Sequence, residues 1–483
     1  MSVKKRLSPL DLAFLAAETR ESMMHVGALM QLTPPPDAKP EFLYELMEEI
    51  KRETKVRAPW NLKLRFPEIL SNPLQSWVED PRFDVEYHVR RSALPTPGGE
   101  RELGVLVSRL HSHSIDFHRP PWEVHFIEGL PNGRIAIYFK VHHSLVDGYT
   151  GMKLLARSFT TNPDERDTPM FFLREGPSPR TSTEVSGNEG PPTVDAILER
   201  LREELSSALT ATGAAARAIS AVVRATRSGD KDLVAPLDAP RSILNGPISR
   251  NRRFATQQFE TERLRRVAKA LGGTMNDVVL AICASAIRRL LLELDALPYE
   301  PMTSMLPVNI RPKDDPGGGN AVGAVLASLA THLDDPLERF RAIVTSTNRA
   351  KDQLRGLSQA AILQYSSMLI LPILFSAPPG AAGRVRPAFN VVISNVPGPR
   401  EKLHFRGYRL DAYYPLSIPF QGYGLNITVV TYADTLNFGF TGDRDSVPHL
   451  QRLAVYARDA LSELERLADA AGTSDANAAQ GAG

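Results

Sequence analysis

The spacing of apolar and polar residues predicts strands and helices in alternation along most of the chain. Residues 41–54 place Leu43, Leu46 and Ile50 at the three- and four-residue spacing of a helix with one apolar face. The same spacing predicts helices over residues 275–294 and 449–467. Apolar runs bounded by turn residues predict strands over residues 24–32, 135–143, 303–310, 389–394 and 426–432. This mixture predicts an α/β fold class, in the form of mixed α+β domains.

A change of composition divides the chain into two blocks. Residues 160–192 are rich in Pro, Gly, Ser, Thr and Glu, which is typical of a linker. Residues 193–227 then show helical spacing and several arginines, so this helix either packs against a domain, which we favour, or lies on a membrane surface. We expect an N-terminal domain over residues 1–160, a linker with the amphipathic helix over 161–239, a C-terminal domain over 240–470, and a disordered tail over 471–483.

Charge and cysteine content exclude several classes of protein. The 483 residues include 57 basic and 55 acidic side chains, a net charge of +2, which gives no reason to expect a nucleic-acid partner. The single cysteine, Cys283, excludes an internal disulfide and a multi-cysteine metal site. Because Cys283 lies in an apolar helical run, we interpret it as a core residue and not as a nucleophile.

Hydropathy predicts a cytoplasmic protein. Asp11 and Glu18 interrupt the apolar residues near the N-terminus, which argues against a secretory signal. The most apolar window, residues 368–375, is far shorter than the roughly 20 residues that cross a bilayer. It is either a buried core segment, which we favour, or a surface that faces lipid.

The candidate chemistry lies in the stretch IAIYFKVHHSLVDG, residues 135–148. Side chains alternate between the two faces of a strand, so His143 continues the apolar face while His142 shares the opposite face with Lys140. We therefore expect His143 to point into a dry site and to act as a general base, since an ordinary imidazole is mostly neutral near pH 7. The two histidine side chains diverge and no third ligand is apparent, so no metal site is expected.

Asp147 and Gly148 follow the histidines in a turn before the next helical run. Gly148 is expected to allow a tight or left-handed backbone. Asp147 either orients His143 or fixes the loop by pairing with an arginine, and we favour the second role. The doubled motif HHxxxDG at the end of an apolar strand is far more specific than HxxxDG alone.

This motif resembles the active-site motif of the CoA-dependent acyltransferase superfamily, and the chain more specifically resembles the bacterial wax ester synthase/diacylglycerol acyltransferases. The resemblance covers nearly the whole chain. Its further motifs, in order, are LSPLDLAFL (7–15), MHVG (24–27), RPPWE (119–123) with IEGL (127–130), MND (275–277) and SNVPGP (394–399). Pro121 stands where the family motif has leucine.

The resemblance implies two chloramphenicol-acetyltransferase-like domains with mixed sheets, which meet at a tunnel that holds the histidine motif. It implies an acyl-CoA donor and a long-chain alcohol or diacylglycerol acceptor, with peripheral attachment to a membrane or lipid droplet. Acyl-CoA is then a substrate, and no cofactor is expected. His143 would deprotonate the acceptor hydroxyl, which attacks the thioester directly.

Several weaker candidates accompany the motif. By resemblance, Asn276 and Asp277 are candidate groups for binding the oxyanion, with Asn276 as the donor. Either Thr274 or Asn276 also fits the cap of a helix. We favour a structural role for Asp277. Arg311 and Lys313 beside a glycine-rich loop are candidate contacts for CoA phosphates.

Two other functions share this histidine motif or scaffold. One is a peptide-synthetase condensation domain, although residues 437–441, NFGFT, do not match the Asp-Phe-Gly-Trp-Gly stretch usual there. The other is a non-catalytic lipid-droplet binding protein.

Overall fold

The computed structural model describes residues 3–53, 55–72, 74–174, 238–309, 322–355, 383–384 and 386–481. Three of the expectations fall outside these ranges: the helix of residues 193–227, the apolar window of residues 368–375, and Arg311 with Lys313. The strands in the described ranges are β1 (Val3–Arg6), β2 (His25–Thr33), β3 (Leu62–Leu64), β4 (Ser76–Glu79), β5 (Val89–Ala93), β6 (Trp122–Glu128), β7 (Ile135–His142), β8 (Arg252–Glu260), β9 (Thr303–Asn309), β10 (Val322–Ser328), β11 (Val391–Pro397), β12 (His404–Phe405), β13 (Tyr408–Leu416), β14 (Leu425–Tyr432) and β15 (Thr435–Asp443). The α-helices are α1 (Pro9–Ala17), α2 (Phe42–Arg52), α3 (Val85–His88), α4 (Glu100–His111), α5 (Gly148–Leu155), α6 (Thr261–Leu271), α7 (Met275–Glu293), α8 (Pro336–Arg355) and α9 (Arg452–Gly481).

Two six-stranded sheets and one small three-stranded sheet, ordered β1-β4-β3, form the β-structure of the described ranges. The first large sheet has the order β12-β13-β2-β7-β6-β5, and all its neighbours are antiparallel except β5 and β6. The second has the order β10-β9-β11-β14-β15-β8, with β11 parallel to both β9 and β14. Both sheets are therefore mixed, as the predicted fold class requires.

Strand β7, which carries the histidines, lies in the middle of the first sheet between β2 and β6. A tight turn joins β6 to β7, and Asn132 and Gly133 in this turn have φ values of 60° and 69°. Residues with left-handed backbone favour such hairpins, because the twist of the turn matches that of the strands. The register pairs His142 with His25 at the end of β7.

The first sheet takes two of its strands from the second block. Residues 404–416 fall within the range predicted as the C-terminal domain, yet β13 pairs antiparallel with β2. The two blocks are thus joined by backbone hydrogen bonds as well as by packing. Pairing between residues so distant in sequence leaves no local pattern, and the predicted boundaries did not anticipate it.

The ends of the predicted linker and tail are ordered elements. Phe171 and Phe172, at the edge of the described range, are buried in the core of the first sheet beside Trp122. Helix α9 continues to Gly481, so residues 471–481 are helical where the composition predicts a disordered tail.

Each large sheet has its own apolar core, and a third apolar cluster lies between them. This inter-sheet cluster combines helix α1, the start of β2, strands of the second sheet and the segment before β14; its buried members are Ala17, Met24, Met305, Ala324, Leu326, Ala388, Phe389, Val392, Ile418, Phe420 and Tyr423.

No single helix in the described ranges is long and apolar enough to cross a membrane, and only α6 with α7, bent by 98°, reach that length and composition together.

Candidate functional site

The two histidines of the motif point in different directions at the end of β7. The strand ends at His142, whose backbone N–H donates to the carbonyl of Pro121 at 2.9 Å. The N–H of His143 donates to the carbonyl of Met24, also at 2.9 Å. The backbone is therefore held on both sides by segments of the RPPWE and MHVG motifs, and the side chains diverge as the strand alternation predicts.

His143 lies at the edge of the inter-sheet cluster. Its half-buried ring stacks on Phe14 of α1, with ring centroids 4.2 Å apart and planes inclined by 26°. Phe14 itself packs against the inter-sheet cluster. Nδ1 of His143 is enclosed, which leaves Nε2 as the ring nitrogen open to a substrate.

The position of Phe14 follows from the local sequence of the opening motif. Helix α1 begins after Ser8, which accepts a hydrogen bond from the N–H of Asp11 at 3.1 Å, while Asp11 accepts one from the N–H of Ser8 at 2.9 Å. Pro9 occupies the first helical position, where its missing N–H costs nothing. The capped helix directs Phe14 towards the histidine.

Burial lowers the pKa of His143 below its ordinary value of 6.5. The negative charges of Asp147 and Asp11 oppose this shift, whereas His142 adds to it. The imidazole is therefore neutral near pH 7, which is the form that accepts a proton. This protonation state supports the predicted role as general base.

Asp147 caps helix α5. Its Oδ1 accepts a hydrogen bond from the backbone N–H of Thr150 at 2.9 Å, and its Oδ2 accepts one from the Thr150 hydroxyl at 2.7 Å. Thr150 thus satisfies both oxygens of the carboxylate from the first turn of the helix, and the expected arginine partner stays a prediction. The carboxylate fixes the loop, and its charge also acts on His143.

Of the two conformations expected for Gly148, a tight or a left-handed backbone, the structure does not show the left-handed one. Gly148 is the first residue of α5, and its φ lies outside the left-handed region, because a first helical residue needs helical backbone angles. A Cβ at this position would meet no atom within 4 Å. The glycine therefore leaves open space beside the motif.

His142 belongs to a buried polar layer on the opposite face of the sheet. Its Nδ1 lies 2.6 Å from Ser144 Oγ and accepts the backbone N–H of Ser144 at 3.2 Å. An Nδ1 that accepts an N–H carries no proton, so in the neutral ring Nε2 is protonated. This nitrogen lies 3.4 Å from the carboxylate of Glu18, which also accepts the N–H of Met24.

Lys140 and Glu123 form the centre of this polar layer. The Lys140 ammonium is fully buried, donates to the carbonyls of Leu110 and His113 at 3.0 Å each, and pairs with Glu123. Burial lowers the pKa of Lys140, although Glu123 opposes the shift. Burial alone would raise the pKa of Glu123, but His125 and Lys140 outweigh it and hold that pKa well below the usual range. The pair ties β6 to β7 directly below the histidines.

The RPPWE motif supports the end of β7 from the side. Trp122 is fully buried, donates from Nε1 to the carbonyl of Trp60 at 2.7 Å, and accepts from the ring of His88 at the same distance. The Pro121 carbonyl remains available to hold His142, although a proline replaces the family's leucine. The substitution therefore preserves the backbone contact to the motif.

Asn276 and Asp277 lie in the first turn of α7. Thr274 is the cap, and the buried Asp277 accepts from its N–H at 2.8 Å and its hydroxyl at 2.6 Å. Asp277 also accepts from the hydroxyl of Thr347 in α8 at 2.7 Å. These contacts satisfy Asp277 within the second block. Asn276 is half-buried, and its role as oxyanion donor stays a prediction.

The SNVPGP motif ends β11. A Cβ at Gly398 would lie 2.3 Å from the carbonyl oxygen of Thr431, so this position needs glycine for the close approach of two backbones. A similar constraint acts at Gly27 of the MHVG motif, where a Cβ would lie 2.7 Å from the carbonyl oxygen of Phe139. The MHVG motif thus brings β2 close to the histidine strand, and the SNVPGP motif brings the end of β11 close to β14.

The site also contains residues that the sequence pattern did not identify. Glu18, Thr150 and Phe14 contact the motif from other elements, and Ser144 lies within the motif and contacts His142. Glu18 had one visible signal, an acidic residue among apolar ones, which we interpreted only as an argument against a secretory signal. The contacts themselves depend on the fold.

Comparisons with known proteins extend these observations. The sequence profile of the wax ester synthase/diacylglycerol acyltransferase catalytic domain matches residues 7–279, and that of the WS/DGAT C-terminal domain matches residues 318–465. A putative diacylglycerol O-acyltransferase of Mycobacterium tuberculosis is 48% identical over 491 residues, covering 97% of this chain and 98% of the relative. The O-acyltransferase WSD of Acinetobacter baylyi is 37% identical over 460 residues, covering 95% and 96%.

Solved structures agree with the sequence relatives. The wax ester synthase/diacylglycerol acyltransferase from Marinobacter aquaeolei superposes with a TM-score of 0.74 at 35% identity, covering 96% of this chain and 100% of that one. The first condensation domain of the calcium-dependent antibiotic synthetase shares the fold, with a TM-score of 0.57, but only 16% identity over 97% of this chain and 96% of that one. The comparisons therefore favour the acyltransferase over the condensation-domain interpretation. The chain belongs to the wax ester synthase/diacylglycerol acyltransferase family.

Proposed function

We propose that the protein transfers a long-chain acyl group from acyl-CoA to the hydroxyl of a fatty alcohol or a diacylglycerol, making wax esters and triacylglycerol. The observation that carries the proposal is the environment of His143. A neutral imidazole with one open nitrogen lies against an apolar cluster between two sheets. Apolar surroundings of this kind suit an acyl chain, because burial of each methylene stabilises binding by about 0.8 kcal/mol.

In the proposed reaction His143 Nε2 takes the proton of the acceptor hydroxyl. The oxygen attacks the thioester carbonyl carbon, and the carbonyl electrons move to the oxygen of a tetrahedral intermediate. When the intermediate collapses, the carbon–sulfur bond breaks and the imidazolium returns its proton to the departing CoA thiolate. The products are an ester and free CoA, with no covalent acyl-enzyme. Base catalysis of this kind typically contributes about 10²- to 10⁴-fold to the rate.

The surrounding residues would support this cycle by positioning the base. The backbone bonds to Met24 and Pro121 hold the end of β7, and Phe14 restricts the ring of His143. Asp147 would stabilise the imidazolium by its charge while it caps α5. Asn276 is the side chain that we propose as donor to the oxyanion, and Asp277 acts through the helix start.

The test measures CoA release by the purified protein with palmitoyl-CoA and hexadecanol or dipalmitoylglycerol, together with the ester product. We expect His143→Ala to lower kcat by at least about 10²-fold, because the base is lost. The matched control is His118→Ala, which removes an exposed histidine that contacts Glu68 and Asp116.

Three outcomes would contradict the proposal. Turnover of His143→Ala at the rate of the unchanged protein would exclude the base mechanism. An acyl group that stays attached to the protein after CoA release would exclude direct transfer. Droplet binding without CoA release from any acceptor would favour the non-catalytic alternative.

We further propose that the protein meets its substrates at the cytoplasmic surface of a membrane or lipid droplet. Long-chain donors and acceptors partition into such phases, and the inter-sheet cluster would receive chains from there. Flotation of the protein with triacylglycerol droplets tests this attachment, and recovery of all protein in the aqueous fraction would contradict it.

A further inference from the structure

A strongly basic cleft lies between the end of α4 and the start of β8. It has a volume of about 360 Å³ and is lined by serines of α4 and the following turn, by Met23 and His113, and by arginines from both blocks of the chain. The six arginines are Arg20, Arg109, Arg250, Arg252, Arg253 and Arg444. The chain as a whole has a net charge of only +2, so this cleft concentrates positive charge far above the average.

Two of the six arginines have structural partners. The guanidinium of Arg252 is buried, donates to the carbonyls of Ser249 and Glu21, and lies 3.7 Å from the Asp443 carboxylate. Arg444 donates to the exposed Asp445 at 3.1 Å. These contacts hold the floor and one rim of the cleft in place.

The remaining four arginines have no such compensation. Among the described residues, no carboxylate lies within ion-pair distance of Arg20, Arg109, Arg250 or Arg253, which converge on the cleft from α1's end, α4 and the start of β8. Like charges brought together in this way repel one another unless an anion is bound. The arrangement therefore fits a multiply charged anion. Since a guanidinium binds phosphate with two parallel hydrogen bonds, phosphate groups suit it best.

The negative end of helix α4 would oppose an anion, but the buried Lys140 offsets it. The Lys140 ammonium donates to the carbonyl of Leu110 in the last turn of this helix and to the carbonyl of His113 just after it. A cation at the carboxyl end of a helix neutralises its dipole. These two carbonyls are thus already bound to an ammonium, whose own charge is paired with Glu123.

The cleft also adjoins the histidine site. Met23 lines it, and the carbonyl of the next residue, Met24, accepts the N–H of His143. Lys140, which supports the wall at His113, lies on the same strand as His142. Met23 therefore links the cleft to the backbone segment that holds His143.

We propose that this cleft binds the phosphate groups of the CoA part of the acyl donor, an inference that rests on the proposed function. CoA carries a 3′-phosphate and a diphosphate at one end and the thioester at the end of a flexible arm. The four uncompensated arginines would hold the phosphates, and the arm would carry the thioester to His143.

The first test measures binding without catalysis. Isothermal titration with adenosine 3′,5′-bisphosphate, which has neither arm nor acyl chain, compares the unchanged protein with Arg109→Gln, Arg253→Gln and the double variant. We expect each single substitution to weaken binding about tenfold, since it removes charge-assisted hydrogen bonds, and added salt to reduce the difference. The control is Arg265→Gln, an exposed arginine of α6 that pairs with Glu262. Affinity equal in the variants and the control would overturn the proposal.

The second test uses kinetics to separate this proposal from the proposed function. With palmitoyl-CoA, the arginine variants should raise the donor KM about tenfold while kcat and the acceptor KM stay constant. With palmitoyl-N-acetylcysteamine, which lacks phosphates, variant and unchanged protein should have equal KM values. A raised KM for both donors would overturn the assignment to phosphates. If no donor reacts at all, the proposed function fails, but the titration still tests the cleft.

A lipid headgroup also carries phosphate, so a third arm compares vesicles of phosphatidylglycerol with vesicles of phosphatidylcholine. Loss of phosphatidylglycerol binding in the double variant, with unchanged affinity for the bisphosphate, would assign the cleft to lipid and overturn the proposal. Equal vesicle binding with weakened bisphosphate binding supports it.

Discussion

His143 owes both its protonation state and its direction to a few neighbours. Burial against Phe14 favours the neutral ring, and the charge of Asp147 limits the shift of its pKa. The enclosed Nδ1 leaves Nε2 as the reactive nitrogen. The strand alternation predicts which histidine takes this position, but nothing local predicts that Phe14 stacks on its ring.

At this scale we predict the pH dependence of catalysis. Because the pKa of His143 lies below 6.5, kcat/KM should be constant near neutrality and fall only in a more acid range, about tenfold per pH unit. In Asp147→Asn the acid limb should move to still lower pH, since the charge that raises the pKa is lost while an asparagine still caps α5. Initial rates with saturating acceptor, from about pH 5 to about pH 9, measure the acid limb of the unchanged protein and that of Asp147→Asn.

The control for this profile is Asp116→Asn, which removes a carboxylate beside the exposed His118. This substitution should leave the acid limb of the kcat/KM profile at the same pH as in the unchanged protein. A limb of the unchanged protein above pH 6.5, or a shift to higher pH in Asp147→Asn, would contradict the assignment of the base to a buried His143.

At the level of single elements, the MND motif forms the start of helix α7, where Asp277 takes part in a capping box with Thr274. Asp277 accepts three hydrogen bonds, two from Thr274 and one from Thr347, so it joins α7 to α8. The pattern Thr-x-x-Asp predicts this capping box from the sequence, but the link to α8 depends on helix packing. The motif therefore contributes to the second core at least as directly as to the reaction.

We predict that Asp277→Asn lowers the free energy of unfolding by about 1–3 kcal/mol, because an amide N–H₂ replaces one buried acceptor. Urea denaturation measures this change, and kcat per folded molecule should stay within about twofold, since no bond to His143 is lost. The matched control, Asp335→Asn, changes an exposed carboxylate that accepts only the Glu338 N–H at 2.7 Å at the start of α8, and asparagine can replace it there at little cost. A fall in kcat of about a hundredfold with unchanged stability would instead place Asp277 in the reaction.

The molecule as a whole buries several neutral histidines. Burial lowers the pKa of His88 to about 4 and that of His111 to about 3, and it lowers the pKa of His25 well below 6.5. In the unfolded chain these imidazoles take up protons near pH 6.5, whereas in the folded protein they do not. The folded state therefore has its full stability above about pH 6.5 and loses stability as the pH falls below it.

We predict that the free energy of unfolding falls by up to about 1.4 kcal/mol per pH unit for each such histidine between about pH 6 and pH 4.5. Urea denaturation at several pH values measures the slope, and His111→Gln should flatten it. His118→Gln should not flatten it, because Glu68 raises the pKa of that exposed histidine. A stability independent of pH in this range would mean that the buried histidines are protonated in the fold.

The sequence by itself determined the fold class, the histidine strand and the acyltransferase family. Apolar periodicity and turn residues act over a few positions, so β2, α2, β7, α7 and β14 lie within a few residues of their predicted ranges. The motif HHxxxDG combines a strand, its end and a helix cap, all of them local. Tertiary structure alone decided that β13 completes the first sheet, that Glu18 and Phe14 reach the two histidines, and that arginines of both blocks form one cleft. These contacts join residues far apart in sequence, and their energies depend on burial and charge that only the assembled chain creates.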